Sequence, residues 1–215
     1  MILERTIGKA GTVAVGEFTP DGKLVAYKSN EAFSNDLAMM ASQFAATVRM
    51  FLSTMAASFS HLTGLPLVPY QGFIFSGGDM SSVIRQDHWA IVRTAQSEFT
   101  PRGGAPERGL EELAHLPGVR LAAYYSSEIG EIECKQTMGL SPEVRATATE
   151  LVASTTSALR GLATAFEHLS TTRWMPVKSW IYAGGDWVIG VSPCCWLLAQ
   201  SGEADTHELH RAVMR

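Results

Sequence analysis

Residues 74–80 read Ile-Phe-Ser-Gly-Gly-Asp-Met, and residues 181–187 read Ile-Tyr-Ala-Gly-Gly-Asp-Trp, nearly the same heptapeptide 107 positions later. Internal repetition decides an architecture before any local pattern does. Sliding the chain by that offset places Leu3-Glu4 on Leu110-Glu111, Gly11 on Gly118, Ser34 on Ser141, Phe59 on Phe166, His61-Leu62 on His168-Leu169, Pro69 on Pro176 and Trp89 on Trp196. No insertion or deletion separates these anchors. The chain is therefore read as two copies of one unit, residues 1–100 and 108–215. Residues 101–107 form a linker, since Thr100-Pro-Arg-Gly-Gly-Ala-Pro106 is dense in chain breakers.

Each copy predicts the same order of elements. A short helix comes first, Ile2 to Lys9 or Leu110 to Leu116, and ends at Gly11 or Pro117-Gly118. In the first copy Thr12 to Phe18 and Lys23 to Tyr27 flank Thr19-Pro-Asp-Gly22, a hairpin turn in which Pro presets one angle and Gly accepts a positive φ. The second copy carries the looser Ser126-Ser-Glu-Ile-Gly130. A long helix follows, 36–62 or 143–169, opened by Ser34 or Ser141 as N-cap. Its large apolar residues in the first copy are Leu37, Met40, Phe44, Val48, Phe51, Met55, Phe59 and Leu62, spaced by three and four as one helical face requires. The second copy keeps Val144, Leu151, Leu162, Phe166 and Leu169 there.

Three strands close each copy: Tyr70 to Phe75, Met80 to Arg85 and Trp89 to Thr94, then Ser179 to Ala183, Trp187 to Val191 and Trp196 to Gln200. Gly77-Gly78-Asp79 and Gly184-Gly185-Asp186 are then hairpin turns. They are not phosphate-gripping loops, which run into a helix N-terminus.

Composition narrows the function classes. The 215 residues carry 17 Lys and Arg against 21 Asp and Glu, with no basic run to follow a phosphate backbone, so nucleic acid is not an expected partner. Glu4 and Arg5 interrupt the apolar core a signal peptide needs, which makes the cytoplasm the expected compartment. The low-charge stretch from Leu37 to Leu62 is broken by Gln43, Arg49 and several Ser and Thr, so a buried helix is expected there and no membrane span. Three cysteines, two of them adjacent, do not make a disulfide framework.

Short helix, two strands, long helix, three strands and trailing helix is the layout of the roadblock and dynein light-chain superfamily, and both copies resemble it along nearly their whole length. The first also resembles an uncharacterised bacterial roadblock-like family through Gly11-Thr-Val-Ala-Val-Gly-Glu-Phe-Thr-Pro-Asp-Gly-Lys-Leu-Val25 and Ser76-Gly-Gly-Asp79. In the second, Tyr124-Tyr-Ser-Ser-Glu-Ile-Gly130 departs from that turn. The resemblance implies an α+β fold of two profilin-like α/β sandwich units, each a five-stranded antiparallel sheet with the long helix on one face. Single domains of this superfamily dimerise edge to edge. Two fused copies are thus expected to form an intrachain pseudo-dimer with the helices side by side, which covers the exposed edge and apolar helix of each unit.

No nucleophile, base and orienting group are joined by a motif, so no catalytic residue, cofactor or metal is assigned. His207 and His210 read as solvated helix residues. Trp180 and Trp187 flank one hairpin and are candidate partner anchors if their face is uncovered, the alternative being cross-strand packing. Met39 and Met50 lie on the first long helix and have no counterpart on the second; adaptable thioethers suit a contact surface. Cys134, Cys194 and Cys195 form a minor candidate thiol site, provided that their sulfurs converge.

The leading expectation is a non-enzymatic adaptor or scaffold. The resemblance brings small Ras-like GTPases among its partners, without a residue that selects them, and leaves further homodimerisation open. A small-molecule sensor with an internal cavity is the alternative, followed by a thiol or metal redox module.

Overall fold

The computed structural model describes residues 2–97, 109–126, 130–170 and 172–214. The expected linker at 101–107 and the centre of the 126–130 turn lie outside them. The elements run α1 (Ile2–Ile7), β1 (Thr12–Phe18), β2 (Leu24–Ser29), α2 (Asn35–Thr63), β3 (Tyr70–Gly77), β4 (Met80–Ile84), β5 (His88–Arg93), then α3 (Leu110–Ala114), β6 (Val119–Ser126), β7 (Gly130–Gln136), α4 (Pro142–Ser170), β8 (Val177–Gly184), β9 (Trp187–Val191), β10 (Cys195–Gln200) and α5 (Thr206–Val213). The fold is α+β, with a single antiparallel sheet in the order β2-β1-β5-β4-β3-β8-β9-β10-β6-β7.

The sheet is continuous because β3 pairs with β8, and the register of that seam explains the opening repeat. Ile74 faces Ile181, so residues related by the 107-residue offset meet each other at the centre. The two heptapeptides are neighbours across an approximate two-fold axis.

Both long helices lie on one face of the sheet and pack against each other. The N-cap bonds are made: Ser34 Oγ accepts from the Leu37 N–H at 3.1 Å and Ser141 Oγ from the Val144 N–H at 3.3 Å. Gly64 ends α2 in the left-handed conformation, φ 73°.

The line of α2 buried deepest differs from the one expected. It is rich in small residues, Ala38, Ala41, Ala45 and Ala56 alongside Val48, Leu52, Met55 and Phe59, while Leu37, Met40, Phe44 and Phe51 flank it half-buried. The sheet beneath supplies the bulk, with Phe18, Phe73, Phe75, Trp89 and Ile91, so close approach needs alanine above it. An indole at equivalent positions pins each helix to the sheet. Trp89 Nε1 donates to Ser42 at 2.9 Å, and its twin Trp196 donates to Thr149 at 3.1 Å, so both buried hydroxyls have a partner.

The opposite face is covered unequally. Over the second half α3 and α5 close a cluster containing Leu110, Leu113, Ala122, Ile181, Leu197, Leu209 and Val213. Over the first half α1 covers a smaller one of Leu3, Val15 and Ala90. The outer strands of the sheet, β2 and β7, carry Lys28 or Glu131, Glu133 and Lys135, charges that disfavour strand addition from another molecule.

Candidate functional site

The Gly-Gly-Asp turns are more than turns. At the first, the Gly78 N–H donates to Pro176 O at 3.0 Å and the Asp79 N–H to Arg173 O at 3.1 Å. At the second, the Gly185 N–H donates to Pro69 O at 2.9 Å and the Asp186 N–H to Pro66 O at 3.1 Å. Each turn grips the loop that leads into the joining strand of the other half. The grip is capped from above: Lys178 donates to Gly78 O, and its twin Gln71 donates to Gly185 O at 2.7 Å.

The glycines are required by this approach. A Cβ on Gly77 would lie 2.0 Å from Trp174 O, on Gly78 2.3 Å from Arg173 O, on Gly184 2.1 Å from Leu67 O and on Gly185 2.0 Å from Pro66 O. Gly78 and Gly185 also hold positive φ, 50° and 52°. The gripped loops are tethered in their turn. Ser60 Oγ accepts from the Leu67 N–H at 3.0 Å; its twin Glu167 accepts from the N–H groups of Trp174 and Met175 at 2.7 and 2.8 Å, which holds that carboxyl below its ordinary pKa. Sequence identifies the turns but not their clasp, because the partner carbonyls lie about a hundred residues away.

A buried polar chain runs beneath the clasp. His210 on α5 is fully buried, its Nε2 lies 3.1 Å from Ser76 Oγ and 3.0 Å from Ser179 Oγ, and Ser76 continues through Ser81 at 2.5 Å to Thr94 at 2.9 Å. This corrects the reading of His210 as a solvated residue. Leu209, Ala212 and Val213 are buried around it, and the apolar arc they define is the sequence signal that the solvated reading passed over. Burial pushes its pKa down to about 3, so the imidazole is neutral. With Ser76 on β3 and Ser179 on β8 directly paired, one ring ties both halves to α5.

Trp180 is not a surface anchor. It is fully buried, donates from Nε1 to Thr156 Oγ1 at 3.0 Å and packs on Phe73 at a centroid distance of 6.4 Å, because β8 is a central strand lying under the long helices. Trp187 is half-buried against the same core. Met39 and Met50 do face outward, 41% and 68% exposed.

The three sulfurs do not converge as a thiol site requires. Register places Cys134 beside Ala123 and Trp196, on the long-helix face, whereas Cys195 pairs with Tyr124 and joins the cluster under α3 and α5. Alternation sends successive residues to opposite faces, so one position of register separates these two by the thickness of the sheet. Cys194 is exposed at the turn. Burial raises the Cys134 thiol pKa, helped by Glu131, which disfavours the reactive thiolate.

Glu17, Asp87 and His88 bring ligand atoms within 4.8 Å of one another where β1 meets β5. Sequence missed this grouping because Glu17 and His88 are joined only by strand register. Asp87 already contacts His88 Nδ1, and Asp87 is exposed. The Ser76 and Ser179 hydroxyls stand within 3.1 Å of the His210 imidazole, and all three side chains are fully buried.

A family profile described as "Uncharacterized conserved protein (DUF2173)" matches residues 3–101 and again residues 109–215. The chain belongs to this family and carries its unit twice. No curated protein and no solved structure matches the chain at a significant level.

Proposed function

We propose that this two-unit member of the family is a non-enzymatic adaptor of roadblock and dynein light-chain type, an intrachain pseudo-dimer of two five-stranded units that presents the outer face of α2 and α4 to another protein. The carrying observation is the absence of charge on α2. Between Asp36 and His61 its single charged residue is Arg49, and Arg49 turns back to donate to Gln86 O at 2.5 Å. The outward positions are then Met39, Gln43, Thr47, Met50, Thr54, Ala57 and Ser58. A helix face left to water normally carries Lys, Glu or Arg, while contact surfaces are depleted in Lys and Glu and enriched in Met. Small Ras-like GTPases are one class of partner that the roadblock resemblance brings.

A sensor needs room between helix and sheet. The void lined there by Phe44, Trp89, Phe166 and Trp174 is about 20 Å3, space for a water molecule and not for a ligand. That favours the adaptor reading.

The test is crosslinked affinity capture from the source organism with the wild-type chain and a Met39→Glu, Met50→Glu variant. The reading expects one protein in stoichiometric amount with the wild type and its loss with a variant that melts at the same temperature. Equal recovery by both chains contradicts it. Repeating the capture with GDP and with a non-hydrolysable GTP analogue tests the GTPase class, for which recovery depends on the nucleotide.

A further inference from the structure

The corner where the end of β1 meets the start of β5 brings together three donors that neither the clasp nor the adaptor face uses. Glu17, Asp87 and His88 each place a ligand atom within 4.8 Å of the other two. Strand register sets this meeting. Glu17 lies directly opposite His88 in the β1–β5 ladder. The Phe18 N–H donates to Asp87 O at 2.8 Å, and the Arg85 N–H donates to His88 O at 2.8 Å. All three donor residues therefore sit on backbone that the sheet holds in place.

The internal symmetry shows that the corner belongs to the fold and not to one set of rotamers. The twins by the 107-residue offset are Tyr124, Cys194 and Cys195. Tyr124 lies opposite Cys195, the Tyr125 N–H donates to Cys194 O at 2.9 Å and the Ser192 N–H to Cys195 O at 2.8 Å. The backbone pattern is the same in both halves, and the first half fills it with two carboxylates and an imidazole.

The charge at this corner is uncompensated. Glu17 is half-buried, and among the described residues its carboxylate has no hydrogen-bond or ion-pair partner. Asp87 contacts the neighbouring ring at His88 Nδ1. Arg49, the cation that α2 sends toward this end of the sheet, is turned to Gln86 O. Carboxylates brought close together disfavour each other's charge unless a cation stands between them. A divalent ion supplies the two positive charges that cancel Glu17 and Asp87, and it displaces any proton shared by Asp87 and His88.

The donor set selects the ion. Oxygen ligands alone suit Mg2+ and Ca2+, while an imidazole beside carboxylates suits Zn2+ and its neighbours in the transition series. Donors bound to one zinc ion at about 2.0–2.2 Å stand roughly 3–4 Å apart. Closing to that spacing from 4.8 Å asks for side-chain rotation, chiefly of the exposed Asp87.

We propose that Glu17, Asp87 and His88 form a three-donor site for a zinc-class divalent cation at the junction of β1 and β5, with a fourth position open to water. The site is separate from the α2–α4 face, and neither proposal needs the other.

The probes are the metal ions themselves. The full chain, stripped by a chelator and dialysed into a buffer that does not bind metal, is titrated with Zn2+ by calorimetry and with Co2+ by visible absorption. The proposal expects one equivalent of either ion to bind saturably, with no displacement by Mg2+. Glu17→Gln and His88→Gln should each weaken that binding by about tenfold or more. If either variant does not fold, Asp87→Asn, on an exposed side chain, is read for the same loss. The Co2+ spectrum should lack the near-ultraviolet charge-transfer band of a thiolate ligand, and Cys194→Ser should leave the affinity unchanged. Absence of saturable binding at one equivalent, or unchanged affinity in the carboxylate and histidine variants, overturns it. So does a thiolate band that disappears with Cys194→Ser, because the ion is then held at the other corner.

Discussion

The two Gly-Gly-Asp turns and the two outer layers of the sheet have diverged to very different degrees. At the turns, each contact in one half has a twin in the other: Gly78 on Pro176 and Gly185 on Pro69, Asp79 on Arg173 and Asp186 on Pro66, Lys178 above one and Gln71 above the other. On the outer layer the halves part: among the described residues one is closed by α3 and α5 and the other is covered by α1. The contacts that hold the copies together tolerate little change because backbone meets backbone there. Away from His210, which bonds to both joining strands, the outer layer is free to differ, and such differences are where the two halves can serve different neighbours.

The largest expected effect breaks the symmetric side of this comparison. Gly78→Ala and Gly185→Ala place a Cβ 2.3 and 2.0 Å from a carbonyl oxygen of the other half, and each should cost roughly 3 kcal/mol or more in urea unfolding. Gly64→Ala and Gly139→Ala are the controls. They share the positive φ of Gly78 but have open space around them, so about 1 kcal/mol is expected. Equal losses in the two pairs would reduce the clasp to turn chemistry.

Truncation of Trp180 to Ala should destabilise by about 3–5 kcal/mol, since the ring is fully buried. A surface anchor removed in the same way would leave the unfolding midpoint unchanged.

The next prediction sharpens the asymmetric side. His210 has no histidine twin, since position 103 is glycine. Its folded pKa lies near 3, below its unfolded value near 6.5. The unfolded chain therefore binds more protons between those pH values, so the stability His210 contributes is complete above about pH 6.5 and is lost as pH falls toward 3, by about 1.4 kcal/mol per pH unit. Urea midpoints measured from pH 7.5 to 5 should fall along this slope, and His210→Gln should flatten it. An unchanged slope in the variant would remove His210 from the account.

The smallest effect concerns the thiols. Cys194 is exposed, Cys195 buried and Cys134 half-buried with a raised pKa. A thiol reagent at neutral pH should modify one cysteine quickly in the native protein and the other two only slowly or on unfolding. Two fast thiols would reopen the redox reading.

How much of this was legible in the sequence differs by level. The repeat, the order of elements and both helix N-caps follow from the offset of 107, the periodicity of α2 and the placement of Ser34 and Ser141, because these are local or self-referential signals. Trp180 was not placed, since a tryptophan beside a turn reads alike whether its strand is central or at an edge. His210 was within reach through its neighbours Leu209 and Val213. The clasp, the separation of Cys134 from Cys195 and the meeting of Glu17 with His88 depend on strand register across long stretches of chain, which no local pattern records.

The central claim is that each repeated turn is held by the other half of the molecule, and amide hydrogen exchange tests it most directly. The N–H groups of Gly78, Asp79, Gly185 and Asp186 should all exchange as slowly as those of β3 and β8, through global unfolding, although Asp79 and Asp186 have exposed side chains. Rapid exchange at these four amides, as in an ordinary solvent-facing hairpin turn, would contradict it.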